Sequence, residues 1–287
     1  MVSGKTRICG IIGDPVEHSM SPLMHNAASK ELGIDYLYLP FRVKQGDLQK
    51  AIEGMRALNI TGLNVTIPHK VAVTHFLDKL DPLAEKIGAV NTIVNDSGIL
   101  TGYNTDAGGF LQALSERGIK PEGKNMVILG AGGASRAISF ILADRGAKLV
   151  ILNRLLEFEW AEELADRISH IFNKNVKALE LNRENLARVL GEADILVNAT
   201  SAGMAPDIDE TPVDADLLSS GLIVFDIVYN PMKTRLLREA EASGATTIGG
   251  LDMLVWQGAL AFEKWTGKKA PVEVMKREAM KLLKEDK

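Results

Sequence analysis

Several features that would assign a chain to a special class are missing from this sequence. Cys9 is the only cysteine among the 287 residues, so no intrachain disulfide can form, and no Cys/His cluster has the spacing of a zinc site. No apolar run approaches the ~20 residues that cross a bilayer, and residues 1–7 carry no cleavable signal pattern. We therefore expect a reduced, cytoplasmic protein with no metal centre and no membrane partner.

The sequence also has no excess of basic residues. It contains 33 Lys and Arg against 37 Asp and Glu, interspersed along the chain, for a formal net charge of −4. Nucleic-acid binding needs a concentrated basic surface, so we do not expect a nucleic-acid partner. With 46% apolar and 24% charged residues, the chain has the composition of an ordered globular protein of one or two domains.

The order of the periodic segments predicts the fold class. Strand-like apolar runs alternate with helix-like periodicity through most of the chain, which is typical of an α/β fold. The first helix is expected to begin at Ser21, with the serine side chain as its cap. The runs 89–95 and 99–103 predict a β-hairpin. A new strand–helix–strand unit begins at Met126, which places a domain boundary near Asp106.

A glycine-rich segment, Gly130–Ala137, lies between a predicted strand and a predicted helix. Gly130 permits a tight turn, and Gly132 lets the backbone approach a pyrophosphate, whose charge the free N–H groups and the helix dipole favour. Ser135 stands where the usual fingerprint has its third glycine, so the motif is imperfect. The segment predicts a dinucleotide site, and an ordinary sharp turn is the alternative.

The end of the next predicted strand indicates which dinucleotide binds. An NAD site usually carries Asp or Glu there for the ribose 2′-hydroxyl, whereas this chain has Asn153-Arg154. A guanidinium is a well-shaped partner for a phosphate, and no carboxylate at the strand end repels it. The pair therefore favours NADP, and a solvated surface arginine is the alternative.

A polar cluster precedes the glycine-rich segment. Strict alternation over Leu63–Ile67 puts Asn64 and Thr66 on one face of a predicted strand, and Lys70 follows Pro68 on the first turn of a predicted helix. An amide, a hydroxyl and an amine would then converge at one strand end, a common place for polyol recognition. The alternative is a half-buried strand with a wet outer face.

Three further polar residues extend this cluster. Asp106 closes a polar stretch directly before Gly108-Gly109, which suggests a shaped loop. Asn91 lies within an apolar strand, where a buried amide must find partners, although a structural network explains it equally well. Gln257 flanks the apolar stripe of a predicted C-terminal helix, from which it either reaches a cleft or points to water.

Short motifs occur in an ordered series over nearly the whole chain. They are Ser19-Met20-Ser21-Pro22, Asn64-Val65-Thr66-Ile67-Pro68-His69-Lys70, Gly88-Ala89-Val90-Asn91-Thr92, Gly102-Tyr103-Asn104-Thr105-Asp106, the glycine-rich segment, Asn153-Arg154, Asn198-Ala199-Thr200, Asp226-Ile227-Val228-Tyr229-Asn230-Pro231 and Gly249-Gly250. Together they resemble the shikimate dehydrogenase family. The resemblance implies an active site in the cleft between two domains: a substrate domain, residues 1–106 plus 245–287, and an NADP-binding Rossmann-type domain with a doubly wound parallel sheet, residues 107–244.

The same resemblance implies an activity and the residues that carry it. The expected reaction is the reversible NADPH-dependent reduction of 3-dehydroshikimate to shikimate, in chorismate and aromatic amino acid biosynthesis. The family's catalytic pair maps onto Lys70 and Asp106. Its substrate contacts map onto Ser19, Ser21, Asn64, Thr66, Lys70, Asn91, Asp106, Tyr229 and Gln257. Its cofactor contacts map onto Gly130, Ala131, Gly132, Gly133, Ala134, Asn153, Arg154, Thr200, Ile227 and Gly250.

One departure from the family pattern leaves alternatives open. After Asn153-Arg154 the usual small hydroxyl residue and nearby base are replaced by Leu155–Glu159, and Glu157 opposes a 2′-phosphate. NAD is therefore expected as a secondary cofactor, and an NAD-using quinate/shikimate dehydrogenase is one alternative. A catalytically silent ligand-sensing regulator is another, against which the intact Lys70 and Asp106 argue. The sequence leaves the oligomeric state open, a homodimer included.

Overall fold

The computed structural model describes residues 2–285, which form two compact units. The first unit contains the described chain up to Phe110 together with the chain from Leu254 onwards, and the second contains Leu111–Met253. Each unit has its own six-stranded sheet, so the α/β class predicted from the periodicity is confirmed. The assignment of substrate and cofactor to separate parts of the chain stays a prediction at this point.

Strands and helices alternate along the described chain. The strands are β1 Arg7–Gly13, β2 Tyr36–Arg42, β3 Gly62–Val65, β4 Lys79–Leu80, β5 Thr92–Asp96, β6 Ile99–Tyr103, β7 Asn125–Leu129, β8 Lys148–Asn153, β9 Lys177–Glu180, β10 Ile195–Asn198, β11 Ile223–Asp226 and β12 Thr246–Ile248. The α-helices are α1 Ser21–Glu31, α2 Leu48–Ala57, α3 Pro82–Ile87, α4 Asp106–Ser115, α5 Gly133–Asp144, α6 Phe158–Phe172, α7 Arg183–Leu190, α8 Arg235–Ala242, α9 Leu251–Thr266 and α10 Val272–Glu285. Among residues 2–285, no helix has both the length and the apolar character that a membrane span requires.

The sheet of the first unit is mixed, with the strand order β2-β1-β3-β5-β6-β4. β1 runs parallel to β2 and β3, and β5 and β6 form the predicted hairpin, with Thr92 opposite Tyr103. β3 lies inside the sheet, and all four of its residues are buried. The predicted alternation holds within the strand, because Leu63 and Val65 are buried in one apolar cluster and Asn64 between them makes hydrogen bonds to Tyr38 and Thr92. It fails beyond Val65, where the strand ends, and Ile67 is 61% exposed. The alternative of a half-buried strand with a solvent-exposed outer face is wrong, since no residue of β3 is exposed.

Two local predictions in this unit are corrected. Ser21 does not cap α1, because Met20 occupies the cap position and Ser21 and Pro22 lie in the first helical turn. A proline is well tolerated there since its missing N–H has no partner within the helix, so the proline marks the helix start better than the serine does. Lys70 does not begin an α-helix either. It lies in a turn before a short 3-10 segment, Ala72–Phe76.

The sheet of the second unit is parallel throughout, in the order β12-β11-β10-β7-β8-β9. The chain order reverses between β10 and β7, which confirms the predicted Rossmann-type, doubly wound topology. Val127, Leu196 and Val224, from three neighbouring strands, are buried in one apolar core. Because the strands are parallel, the loops after β7, β8, β10 and β11 leave the sheet at one edge, which is where open α/β sheets bind ligands.

Candidate active site

The first unit brings together the two residues predicted as a catalytic pair. Lys70 Nζ donates to Asp106 Oδ2 at 2.6 Å, and the two side chains are 15% and 6% exposed. Asp106 is the first residue of α4, where the helix dipole favours a negative charge. Lys70 lies on the turn after β3, and its carbonyl accepts a hydrogen bond from the Val90 N–H at 2.8 Å. An ammonium and a carboxylate held in this way can hold and transfer a proton at a substrate oxygen.

Asn91 ties this pair to the surrounding polar network. Its side-chain N–H groups donate to Asp106 Oδ1 at 2.8 Å and to Thr105 Oγ1 at 2.9 Å. Its side-chain oxygen accepts from the Thr105 backbone N–H at 2.7 Å, and Gln257 Oε1 lies 3.4 Å from the amide nitrogen. Asn91 therefore occupies one carboxylate oxygen of Asp106 and leaves the other to Lys70. Gln257 reaches this cluster and does not point to water.

A buried tyrosine that sequence reasoning missed orients Asn64. Tyr38 Oη donates to Asn64 Oδ1 at 2.7 Å, and Asn64 Nδ2 donates to the Asn91 carbonyl and to Thr92 Oγ1, each at 3.2 Å. Burial raises the pKa of Tyr38 well above its ordinary value, and a hydrogen bond with Ser21 only partly offsets this rise. The available signal was the hydroxyl of a tyrosine in a strand, which needs a partner when it is buried.

Thr66 and Ser19 lie beside the same network. The Thr66 N–H donates to the Ile12 carbonyl at 2.9 Å, and a Cβ added at Gly13 would lie 2.3 Å from Thr66 Cγ2. Glycine at position 13 is thus required for the close approach of this threonine. Ser19 Oγ accepts from the Ser21 N–H at 3.3 Å. Both Thr66 and Ser19 are half-buried, so their hydroxyls can still meet a ligand.

His69 anchors the turn that carries Lys70. The His69 ring is fully buried, and its Nε2 lies 2.6 Å from the Val43 carbonyl. A carbonyl can only accept, so Nε2 carries the proton and donates it. The Val73 N–H donates to the His69 carbonyl at 2.9 Å and closes the turn from the other side. The sequence motif did not reveal this role of His69, because the burial of a histidine next to a lysine depends on the distant Val43.

The second unit places the glycine-rich segment at the ligand-binding edge of its sheet. Gly130 follows β7 with a φ of +97°, which side chains rarely adopt, and a Cβ there would lie 3.0 Å from Thr200 Cγ2. Ser135 Oγ donates to the Gly130 carbonyl at 2.5 Å, so the serine that replaces the third glycine closes the loop. Gly132 is the cap of α5, whose first N–H groups have no partner within the helix and suit an anion. The segment contains the predicted cofactor residues Gly130, Ala131, Gly132, Gly133 and Ala134.

A buried carboxylate organises the loops next to this segment. Asp226 Oδ1 accepts from Asn198 Nδ2 and from the Val228 N–H, each at 3.0 Å, and its Oδ2 accepts from Thr234 Oγ1 at 2.6 Å. Burial raises the pKa of Asp226 to about 6, and these hydrogen bonds offset only part of the rise. Thr200 Oγ1 donates to Asn198 Oδ1 at 2.6 Å, so the network also holds this predicted cofactor residue. The signal for Asp226 was an acidic residue at the end of an apolar strand.

The remaining predicted residues at this edge follow β11 and β12. Gly250 packs so closely against Ile227 that a Cβ would lie 2.1 Å from the Ile227 carbonyl oxygen. Tyr229 is half-buried, and desolvation raises the pKa of its hydroxyl. Among the predicted substrate residues, Tyr229 belongs to the second unit and the others to the first.

At the end of β8 the predicted phosphate ligand is paired with a carboxylate. Arg154 Nη2 lies 2.8 Å from Glu157 Oε1, and Arg154 Nε donates to Glu157 Oε2 at 3.3 Å. These hydrogen bonds raise the pKa of Arg154 above its ordinary value. The buried Asn153 side chain donates to the Glu157 backbone carbonyl at 2.7 Å. Glu157 thus contacts the arginine directly.

Comparison with known families covers most of the chain. Residues 11–93 match the model described as shikimate dehydrogenase substrate binding domain, and residues 113–229 match shikimate/quinate 5-dehydrogenase. Residues 250–280 match the shikimate 5′-dehydrogenase C-terminal domain. The matched segments contain Lys70, Asp226 and the whole glycine-rich segment, whereas Asp106 falls between two of them.

Individual relatives agree with the family models over the full length. The shikimate dehydrogenase (NADP(+)) of Methanopyrus kandleri is 52% identical over 286 residues, which is 99% of this chain and 98% of the relative. A shikimate dehydrogenase solved in complex with NADP+ is 45% identical with a TM-score of 0.92, over 99% of this chain and 98% of that one. The shikimate 5-dehydrogenase of Listeria monocytogenes, solved with shikimate and NAD, is 44% identical with a TM-score of 0.89, over 96% and 97% of the two chains.

Proposed function

The chain belongs to the shikimate dehydrogenase family and is an NADP-dependent oxidoreductase, and on that premise we propose which of its residues carry the reaction. The reaction is the reversible NADPH-dependent reduction of 3-dehydroshikimate to shikimate, a step of aromatic amino acid biosynthesis. In our proposal the first unit binds the substrate and the second binds the cofactor. The observation that carries this proposal is the 2.6 Å contact between Lys70 Nζ and Asp106 Oδ2.

Lys70 is the proton donor of the proposed mechanism. When bound, NADPH supplies the hydride that reduces the ring ketone at carbon, so the protein has to supply the proton at oxygen. In reduction the Lys70 ammonium donates this proton, and in oxidation the amine takes it back from the hydroxyl. Asp106 accepts a hydrogen bond from the same hydroxyl. Asn91 keeps the carboxylate in place because it holds Asp106 Oδ1 at 2.8 Å.

Neutral polar groups recognise the rest of the substrate. The side chains proposed for this role in the first unit, besides Lys70 and Asp106, are Ser19, Ser21, Asn64, Thr66, Asn91 and Gln257, and Tyr229 is proposed from the second unit. Asn64 already donates to two protein acceptors at 3.2 Å, so it binds the substrate by sharing those N–H groups. Hydroxyls and amides can hold ring hydroxyls and a carboxylate without adding a second charge to the Lys70–Asp106 pair.

The cofactor-side residues fit a dinucleotide at the edge of the second sheet. The positive φ of Gly130 and the free N–H groups of α5 suit a pyrophosphate. Asn153 and Arg154 suit the ribose and its 2′-phosphate, since an amide and a guanidinium offer donors and no carboxylate ends the strand. Thr200, Ile227 and Gly250 complete the cofactor side in this proposal.

Steady-state kinetics with four substrate–cofactor pairs test the proposed function. Shikimate and quinate are each oxidised with NADP and with NAD, and the reverse reaction is followed as NADPH absorbance with 3-dehydroshikimate. We expect the highest kcat/KM for shikimate with NADP and a lower value for shikimate with NAD. Quinate with NAD as the best pair would favour the quinate/shikimate alternative. A folded protein that turns over no pair would favour the ligand-sensing regulator.

We also propose a cytoplasmic location and a homodimer, which need tests of their own. The free Cys9, buried in the first unit, suits a reducing compartment. Cell fractionation with compartment markers tests the location, and a secreted protein would contradict it. Light scattering tests the assembly, because a monomer has a mass of 31.1 kDa and a homodimer twice that mass.

A further inference from the structure

The loop after β8 contains the main departure of this chain from the family pattern. Residues 153–160 contain one arginine, Arg154, and two glutamates, Glu157 and Glu159. The Arg154 side chain is 68% exposed, and the neighbouring Leu155 and Leu156 are also exposed but offer no polar side chain. Among the side chains of this loop, attraction for a 2′-phosphate therefore depends on one guanidinium.

That guanidinium is engaged by Glu157 through two nitrogens and both carboxylate oxygens. The contacts are 2.8 Å and 3.3 Å long, in the forked geometry that arginine also uses for phosphate. The backbone holds the two residues together, because the Glu157 N–H donates to the Arg154 carbonyl at 3.0 Å within the 3-10 turn Leu155–Glu157. Asn153 donates to the Glu157 carbonyl at 2.7 Å from the other side. The carboxylate is therefore kept within reach of the arginine.

A 2′-phosphate at Arg154 would meet this carboxylate. Both groups are anions that need the same N–H donors, so the phosphate has to share the guanidinium or displace Glu157 from it. The repulsion is reduced by solvent, since the pair lies at the surface. NAD has a hydroxyl in place of the phosphate and does not face this competition.

We propose that Glu157 is a specificity-determining residue, which lowers the affinity of Arg154 for the 2′-phosphate and so narrows the preference for NADP over NAD. The inference rests on the proposed cofactor role of Arg154. Glu157 acts against the binding of the 2′-phosphate by Arg154, which gives a physical cause for secondary use of NAD.

The substitution Glu157→Gln tests the inference, because it keeps the shape of the side chain and removes its charge. Values of kcat/KM for NADP and for NAD are measured with shikimate at low ionic strength, for the wild type and the variant. We expect the NADP-to-NAD ratio to rise by ~3- to 10-fold, through a lower KM for NADP. A ratio that changes by less than twofold, or an equal gain with both cofactors, would overturn the inference.

A matched control separates the ion pair from the general charge of the loop. Glu159→Gln makes the same chemical change two residues further on, at an exposed position. We expect the control to leave the cofactor ratio within twofold of the wild type. If it raised the ratio as much as Glu157→Gln does, the net charge of the loop would set the preference and the role of the pair would be refuted.

Nucleotide binding measured by calorimetry needs no turnover and separates this inference from the proposed function. Glu157→Gln is expected to tighten the binding of adenosine 2′,5′-bisphosphate by the same factor and to leave AMP unchanged. If that result came with a wild type that does not oxidise shikimate, the proposed function would fail and the role of Glu157 would stand. Normal turnover with unchanged bisphosphate binding would overturn the role of Glu157 and leave the function intact.

Discussion

The polar groups around Lys70 in the first unit are mostly buried, whereas those that follow β8 in the second unit are more exposed. Lys70 and Asp106 lie in a mostly buried network, in which Asn91 satisfies the second oxygen of the carboxylate. Arg154 and Glu157 form a pair whose side chains are 68% and 29% exposed, on a single 3-10 turn. The same kind of contact, cation to carboxylate, thus occurs in two very different surroundings.

The difference in exposure sets how much each pair can contribute. Charges act on each other more strongly where water is excluded. A proton donor positioned in such a site raises the reaction rate by ~10²–10⁴-fold. Exposed ion pairs contribute at most about 1 kcal/mol, because solvent screens them and ordering long side chains costs entropy. The first region is therefore expected to control whether the reaction occurs, and the second to adjust which cofactor is preferred.

The sharpest test of this contrast is Lys70→Ala, for which we expect the largest effect. Removing the proposed proton donor should lower kcat by ~10²–10⁴, which corresponds to about 3–5 kcal/mol on the barrier. The measurement is kcat for shikimate oxidation with NADP. Lys50→Ala, on the exposed face of α2, is the matched control and should keep the wild-type rate. An undiminished kcat for a folded Lys70→Ala protein would refute the role of Lys70 as proton donor. It would also refute the contrast between the two regions.

The buried carboxylate of Asp226 lies in the second unit. It tests whether burial, and not the unit that contains a charged group, decides how strongly that group affects the protein. The pKa of Asp226 is raised from 3.8 to about 6 by burial. Between these values the folded protein binds more protons than the unfolded chain, so this group's stabilising contribution is complete below about pH 3.8 and is lost as the pH rises through 6. Over this pH range the contribution of Asp226 to the free energy of unfolding falls by about 3 kcal/mol.

The substitution Asp226→Asn should remove that pH dependence. The asparagine oxygen can still accept from Asn198 and Val228, whereas the contact with Thr234 reverses, because the amide has to donate to the hydroxyl that donates in the wild type. The variant therefore loses the buried charge and keeps most of the network. Urea unfolding from pH 4 to pH 7 should then show a flatter profile for the variant. Parallel falls in the stability of wild type and variant over this range would contradict the prediction.

Asp194 provides a control of opposite sign in the same unit. Its pKa is lowered, chiefly by a hydrogen bond from Lys124, so its contribution to stability is present at neutral pH and is lost as the pH falls. Asp194→Asn should therefore reduce the loss of stability in acid and leave the change attributed to Asp226 in place. A change of the same sign in both variants would show that neither profile reports its own carboxylate.

Asn91→Ala is expected to have an intermediate effect on both rate and stability. It leaves Asp106 Oδ1 and the Thr105 N–H without their partner, and an unsatisfied buried group costs about 1–3 kcal/mol. Urea unfolding and kcat are the two readouts. Asn95→Ala in the adjoining strand β5 removes two other hydrogen bonds, to the Ile60 carbonyl and from the Gly98 N–H, and should lower stability without lowering kcat. Equal kcat values for the two variants would mean that Asn91 does not position Asp106.

The sequence predicted the regular parts of the fold well, because their signals are local. β6 has the bounds predicted for the second strand of the hairpin, and the restart of the strand–helix–strand pattern located the parallel sheet. The predicted alternation failed only beyond Val65, because the length of β3 depends on its pairing with β1 and β5. The cap assigned to Ser21 failed because Pro22 fits the first turn of α1 without one.

The residues of the candidate active site could be predicted from the sequence, but the hydrogen bonds that connect them could not. Motif resemblance named Lys70, Asp106 and Asn91, and the structure places all three within one set of hydrogen bonds. Tyr38 was missed because its partner Asn64 is remote in sequence, and Asp226 was part of a motif but had no role assigned to it. A tyrosine in a strand or an aspartate at a strand end has many ordinary explanations until its burial and its partners are known.

The smallest expected effect belongs to Arg154→Gln, at the exposed end of the comparison. Removing the guanidinium should lower kcat/KM for NADP by ~3- to 10-fold and leave the value for NAD unchanged, because the solvent-screened contact to phosphate is worth about 1 kcal/mol. Arg145→Gln, another exposed arginine of the second unit, is the control and should change neither value. A fall in kcat/KM for NADP that approaches the effect of Lys70→Ala would mean that Arg154 binds the phosphate in a site from which water is excluded. The contrast between a buried pair that controls the rate and an exposed pair that adjusts cofactor preference would then be wrong.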